Sequence, residues 1–150
     1  MSENDKSLYY DEFSLGDQFF SAEHIMDATD ITNFAEVSGD YSLIHLDEGY
    51  AAGTIYGRRI AHGLLVLSTV SGLAAKLGLT TDTTIAFRSM DWKFKRPVYI
   101  GDSIKAVLKV VKKRNLAMKE GGLIVFKVDV TNQEDQRVQM GRWSMIIKKK

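Results

Sequence analysis

The stretch Gly63-Leu64-Leu65-Val66-Leu67-Ser68-Thr69-Val70-Ser71-Gly72-Leu73-Ala74-Ala75-Lys76-Leu77 decides the fold. Only Ser68, Thr69, Ser71 and Lys76 interrupt its apolar and small residues, so it predicts a helix buried nearly all round. Such a helix needs a sheet wrapped about it. Gly78 supplies the stop.

Downstream of the helix the hydrophobic period changes to two. Residues 83–95 alternate at Ile85 and Phe87, then at Met90, Trp92 and Phe94, and the change of phase predicts a bulge near Arg88-Ser89. Pro97, the one proline, marks an edge, a bulge or a strand start. Gly101-Asp102 reads as a turn before a strand over 103–112. Further strands follow over 123–131 and 137–148, joined by the polar connection 132–136. Upstream, 18–24 predicts a first strand around Phe20 and Ala22. Asp30 or Thr32 is placed to cap a short helix ending at Ser38-Gly39, and Asp47 opens another that Gly53 stops. The expected class is α+β, an antiparallel sheet around one long central apolar helix. Residues 1–150 form one expected domain, with 1–7 a flexible end.

Composition narrows the function. The chain is 45% hydrophobic and 26% charged, enough for an ordinary core. A net charge of +1 implies no nucleic-acid partner. Lys112-Lys113-Arg114 reads as a solvated turn and Lys148-Lys149-Lys150 as a solvated tail. The lack of cysteine excludes disulfides, thiolate zinc sites and a cysteine nucleophile. No apolar run approaches the roughly 18 residues of a membrane span, so no membrane role and a cytoplasmic location are expected. His24, His45 and His62 lack metal-ligand spacing, and no metal or cofactor is expected.

Chemistry concentrates in Phe34-Ala35-Glu36-Val37-Ser38-Gly39-Asp40-Tyr41-Ser42-Leu43-Ile44-His45 and in Ile60-Ala61-His62-Gly63. A carboxylate and an imidazole five positions apart form an acid/base pair. Gly63 opens the long helix, where free amides meet the positive dipole end and can hold an oxyanion. Taken singly, Asp40 also reads as a turn residue, His45 as a loop histidine and Gly63 as a close-packing glycine.

Four blocks together resemble the MaoC-like dehydratases, the (R)-specific enoyl-CoA hydratases of the hot-dog fold. They are Tyr10-Asp11-Glu12-Phe13 with Leu15-Gly16-Asp17, Phe34 through Ser38-Gly39-Asp40 to Ile44-His45, Ala61-His62-Gly63-Leu64-Leu65 with Ser71-Gly72, and Phe94 through Pro97 to Gly101-Asp102. The resemblance implies addition or removal of water between trans-2-enoyl and (3R)-3-hydroxyacyl thioesters. Asp40, His45 and Gly63 would be catalytic. Ser42, Ser71, Phe34, Tyr41 and His62 would face substrate. The thioester carrier would be coenzyme A or acyl carrier protein, with Arg88, Lys93, Lys95 and Arg96 as candidates for carrier phosphates. The family's edge-to-edge sheets imply a homodimer, or a dimer of dimers. The family's Asn-Pro is Ser42-Leu43 here, a shorter side chain and a less restrained loop. That departure keeps a non-catalytic acyl-thioester-binding subunit as an alternative, beside a hot-dog thioesterase.

Overall fold

A computed structural model describes residues 7–150. Three short N-terminal elements come first: a 3-10 turn (Tyr10–Glu12) and strands β1 (Gln18–Phe20) and β2 (His24–Ile25). Helices α1 (Ala28–Ser38), α2 (Leu43–Leu46), α3 (Glu48–Ala52) and α4 (Gly63–Ala75) follow. Long strands β3 (Thr84–Phe94), β4 (Ser103–Asn115), β5 (Gly121–Thr131) and β6 (Arg137–Lys148) complete the chain. The antiparallel sheet runs β1-β4-β5-β6-β3, and β2 also pairs with β4. This is the hot-dog arrangement, a sheet laid along a central helix.

The phase change in β3 is real, since its register against β6 shifts between Phe87 and Ser89. The inward row of β4, Ile104, Ala106, Leu108 and Val110, is buried as its alternation requires. On β5 both faces are buried from Gly121 to Phe126. The turn before β4 uses Gly101 at φ 94°, a conformation glycine adopts without strain.

Several expectations need correction. The first strand is not continuous from 18 to 24. It breaks after Phe20, which is exposed, while Phe19 packs on the core. Neither Asp30 nor Thr32 caps α1; Asp27 does, accepting the Asp30 amide at 2.8 Å while the Asp30 carboxylate accepts the Asp27 amide at 3.1 Å. Helix α4 is covered on one side only. Leu65, Val66, Val70 and Leu73 are buried, but Leu64 is 59% exposed, because the sheet of one chain faces one flank of the helix.

Lys112, Arg114, Lys148 and Lys150 are exposed as the solvated readings require, but the runs lie in or beside strands rather than in a free turn and tail. Lys112-Lys113-Arg114 belongs to β4, and Lys113 donates to the Phe13 carbonyl at 2.9 Å. Lys148 and Lys149 donate to backbone carbonyls, and Lys150 pairs with Glu12 at 2.9 Å. Residues 1–6 of the expected flexible end lie outside the described residues. Ser7 is buried, with its hydroxyl donating to the Gly78 carbonyl at 3.3 Å and accepting the Asp82 amide at 3.0 Å.

The tight pairing of β3 with β6 generates a prediction. Gly141 lies opposite Trp92, and a Cβ there would run into the Asp91 carbonyl and the Trp92 ring. Gly141→Ala should lower stability by about 1–3 kcal/mol or more, read as a fall in urea midpoint at unchanged slope.

Candidate active site

Helix α1 ends at Gly39 in the left-handed conformation, φ 77°, which turns the chain sharply into Asp40. A short helix the sequence reading did not foresee, α2, then carries His45. The intervening loop is organised by the Asp40 carboxylate. Its Oδ1 accepts the Ser42 hydroxyl at 2.6 Å and the Ser42 amide at 3.1 Å. Those bonds, the hydroxyl first, hold the exposed Asp40 carboxyl below its ordinary value, and the nearby imidazoles act in the same direction.

His45 is half-buried. Its Nδ1 donates to the Ile60 carbonyl at 2.8 Å, which leaves Nε2 with the lone pair when the ring is neutral. Burial, foremost, holds its pKa below the ordinary 6.5, and His62 adds to that; the Ile60 carbonyl and Asp40 oppose it. The site therefore combines an ionised carboxylate with a neutral imidazole over the neutral pH range.

His62 precedes α4 and is 2% exposed. Its Nε2 donates to the Asp40 backbone carbonyl at 2.9 Å. Its ring stacks on His45 with centroids 3.9 Å apart, and Phe34 lies against its other neighbourhood at 4.9 Å. A side-chain nitrogen or oxygen from each of Asp40, His45 and His62 lies within 4.8 Å of the others. The spacing argument against a metal site misses this convergence, because the ligating types come from separate segments. One water can reach Asp40 and His45 together at ordinary hydrogen-bond lengths.

Gly63 occupies the first position of α4, where the amide has no intrahelical acceptor. A Cβ on Gly63 would approach the Phe94 ring at 2.8 Å, so close packing also requires glycine here. Sequence reasoning missed the residue that fixes this corner, Gln139. It is 2% exposed, donates to the Gly63 carbonyl at 3.0 Å and accepts the Trp92 indole N–H at 2.8 Å. Its signal was a lone polar residue in the inward row Gln139, Gly141, Trp143, Ile147 of β6. Arg59 was also missed; it donates to the His45 carbonyl at 2.6 Å and pairs with Glu48 at 3.6 Å.

A groove of about 450 Å³ runs beside Gly63 and Leu64, past Phe94, to Lys95 and Arg96. Asp40 and His45 do not line it, but Ile60, the acceptor of the His45 bond, does. The remaining sequence candidates separate. Ser71 lines a second cavity of about 360 Å³ with Phe87, Leu108, Phe126 and Trp143. Ser42 serves Asp40 directly. His62 is buried and lines neither cavity, and its Nε2 fastens the loop through the Asp40 carbonyl. Phe34 packs against the core, and Tyr41 is exposed and lines neither cavity. Arg88 and Lys93 line neither cavity either.

The family model for the MaoC like domain matches residues 16–133. The chain belongs to this family. It is 34% identical over 106 residues to Protein MaoC of Klebsiella aerogenes, a match covering 70% of this chain and 31% of that protein. It is 36% identical over 111 residues to an (R)-specific enoyl-CoA hydratase of Rhodospirillum rubrum, covering 73% of this chain and 75% of the relative. The chain thus spans under a third of one curated relative and three quarters of another. The fold superposes on an X-ray structure described as a monoamine oxidase regulatory protein of Archaeoglobus, with a TM-score of 0.91, 32% identity and 96% coverage of each chain.

Ser42→Ala removes the shortest bond to the Asp40 carboxylate. The Asp40 pKa should rise toward its ordinary 3.8, read by carbon-detected NMR titration of its carboxyl carbon.

Proposed function

We propose that this MaoC-like chain is an (R)-specific hydratase/dehydratase interconverting trans-2-enoyl and (3R)-3-hydroxyacyl thioesters. The observation that carries the reading is the meeting of the Asp40 carboxylate and the His45 imidazole within 4.8 Å, one residue away from the helix-initiating Gly63 through the His62 bridge. Its family membership and its likeness to named hydratases support the same class.

In hydration, Asp40 takes a proton from a water that His45 Nε2 helps to hold. The water oxygen bonds to C3, and the C2–C3 π electrons move toward the thioester carbonyl. The Gly63 amide at the positive end of α4 stabilises that oxygen. A proton then returns to C2 through the same pair, so one water is added and the enzyme is regenerated. Dehydration reverses each step. Water and side chains provide every atom transferred, so the reaction draws on no cofactor. The low pKa values serve this chemistry: a carboxylate already ionised and an imidazole already neutral can both accept a hydrogen bond from water at neutral pH.

The acyl chain is assigned to the cavity at Ser71, whose apolar wall lies about 12 Å along α4 from Gly63 at 1.5 Å per residue. The departure at Ser42-Leu43 supports catalysis rather than binding alone, because the Ser42 hydroxyl orders the Asp40 carboxylate. The assay uses crotonyl-CoA. The enoyl-thioester absorbance should fall without release of free thiol, whereas hydrolysis would release thiol. Asp40→Asn and His45→Gln should each reduce turnover by at least about 100-fold, the scale of general acid–base catalysis, with circular dichroism unchanged. Wild-type rates in either variant would remove that residue from the mechanism.

Quaternary structure belongs to the same proposal. β3 pairs only with β6 among the described residues, and its length exposes Ile85, Phe87, Met90 and Phe94. Leu64 is exposed on α4. An open, long, apolar edge is unstable toward pairing, and a second copy satisfies it. Light scattering should give twice the 16.8 kDa chain mass, and Met90→Lys should shift the population toward monomer. A wild-type monomer at micromolar concentration would refute the dimer. No helix among the described residues is long and apolar enough to cross a membrane.

A further inference from the structure

We infer that the outward face of the sheet is a peripheral docking surface for an anionic lipid membrane, with Lys109, Lys127 and Arg142 as its cationic row and Phe20 and Ile25 as its apolar margin. The surface does not depend on the hydratase reading.

Charge is segregated along this chain, and the net +1 conceals it. Residues 7–57 hold ten acids and no lysine or arginine, whereas residues 58–150 hold nineteen of the twenty lysines and arginines. The acidic part builds α1, α2, α3 and the Asp40 loop; the basic part builds α4 and the long strands. Such asymmetry within one chain points to a charged partner.

Register gathers the cations on one side of the sheet. The inward row of β4 includes Leu108 and Val110, so Lys109 between them points outward. Lys109 stands directly opposite Lys127, and Lys127 directly opposite Arg142. Beyond the β4 irregularity, Lys112 and Arg114 continue the face opposite the outward Val125 and Leu123. Like charges directly opposite each other destabilise a sheet, and here two such pairs follow in succession. Little relieves the repulsion. Asp129 is held by Arg137 at 2.9 Å and by Lys127 at 3.7 Å. Asp91, opposite Arg142, is the other acid in these rows. Lys109, Lys112, Arg114 and Arg142 form no ion pair with a carboxylate among the described residues.

The margin of the face is apolar. Phe20 pairs with Val107 and Ile25 with Ser103, which puts both on the outward side. They are 65% and 64% exposed. Glu23, between them in sequence, is exposed too, and the penalty for burying its charge keeps the contact shallow.

An anionic bilayer draws lysine and arginine to its surface, and apolar side chains beside them enter the headgroup boundary. Cationic rows with an apolar margin fit that layered surface. Nucleic acid fits less well. A single strand is held on successive aromatic rings, and Phe20 is the one aromatic ring in these rows. A duplex groove admits a helix or a two-stranded ribbon, not a broad sheet. The Asp40 loop is fastened to the start of α4 on the opposite side of the sheet, so docking leaves it in water, away from anionic headgroups. Pairing of β3 edges in a dimer uses backbone groups and leaves the face open. The lack of a spanning helix bears on crossing a bilayer, not on resting against one.

The test is co-sedimentation of the full chain with vesicles of phosphatidylcholine alone and of equimolar phosphatidylserine and phosphatidylcholine, at low salt and at about 0.5 M salt. The variants are Lys109→Gln/Lys127→Gln/Arg142→Gln and Phe20→Ser. Thermal melting verifies folding, and binding to single-stranded and duplex DNA is measured in parallel.

The wild type should partition into the mixed vesicles and not into phosphatidylcholine, and should leave them at about 0.5 M salt. Each cation near the surface strengthens binding about fivefold, so the triple variant should bind about 100-fold more weakly. Its melting temperature should equal or exceed that of the wild type, since like-charge neighbours are gone. Phe20→Ser should weaken binding at an unchanged salt dependence, the mark of an inserted apolar side chain. No partition of the wild type, equal partition into both vesicles, or unchanged partition of the folded triple variant would overturn the surface. Binding to DNA with none to the mixed vesicles would assign the cations to nucleic acid and also overturn it. Should the triple variant not fold, Lys109→Gln alone decides: a loss of about fivefold supports the surface, and no loss overturns it.

Discussion

One hydrogen bond joins the two halves of this site. The buried imidazole of His62 must place its N–H somewhere, and the Asp40 backbone carbonyl is the acceptor it finds. Leaving a buried donor unpaired would cost about 1–3 kcal/mol, so the contact constrains the loop strongly. It fixes the acidic loop against the start of α4. It also fixes His62 in one tautomer, with Nδ1 facing no partner among the described residues. His45 then stacks on that ring and fastens to Ile60, two residues before His62. Acid, imidazole and helix amide are thus held in one place by backbone carbonyls rather than by each other.

This arrangement explains why the pair is an anion beside a neutral ring. Asp40 stays in water, where Ser42 donors stabilise the anion. His45 is drawn partly out of water beside a second imidazole, which disfavours the cation. Had both groups been equally solvated, the imidazole would be partly protonated near its ordinary 6.5 and would compete for the Asp40 charge. Burial also sets a stability trend. Because the folded-state pKa of His45 is depressed, its contribution is complete above 6.5 and is lost as pH falls toward the folded value.

The architecture was largely legible because its signals are local. The apolar run of α4, the glycine stops of α1 and α3, the β3 phase change and the polar 132–136 connection each announce themselves within a few residues, whereas α4 ends at Ala75, before the expected stop at Gly78. The pairing of Asp40 with His45 was legible through motif resemblance. What escaped depends on contacts distant in sequence. Gln139 reaches Gly63 across 76 residues, and no local period reveals the partner. The Asp27 cap was hidden because Asp30 and Thr32 are equally good capping types. The exposed flank of α4 escaped because an unbroken apolar run carries no mark of which flank the chain's own sheet covers, and Leu64 falls on the uncovered one. The convergence of His62 with Asp40 and His45 likewise crosses 22 residues.

The central claim is that Asp40 and His45 grip the same water beside Gly63. A crystal structure at atomic resolution tests it most directly, since it locates ordered water and the imidazole protons. The account predicts one water within about 3.2 Å of both an Asp40 carboxylate oxygen and His45 Nε2, with the His45 proton on Nδ1. A His45 proton on Nε2, or an Asp40 carboxylate and His45 ring solvated by separate waters, would contradict it.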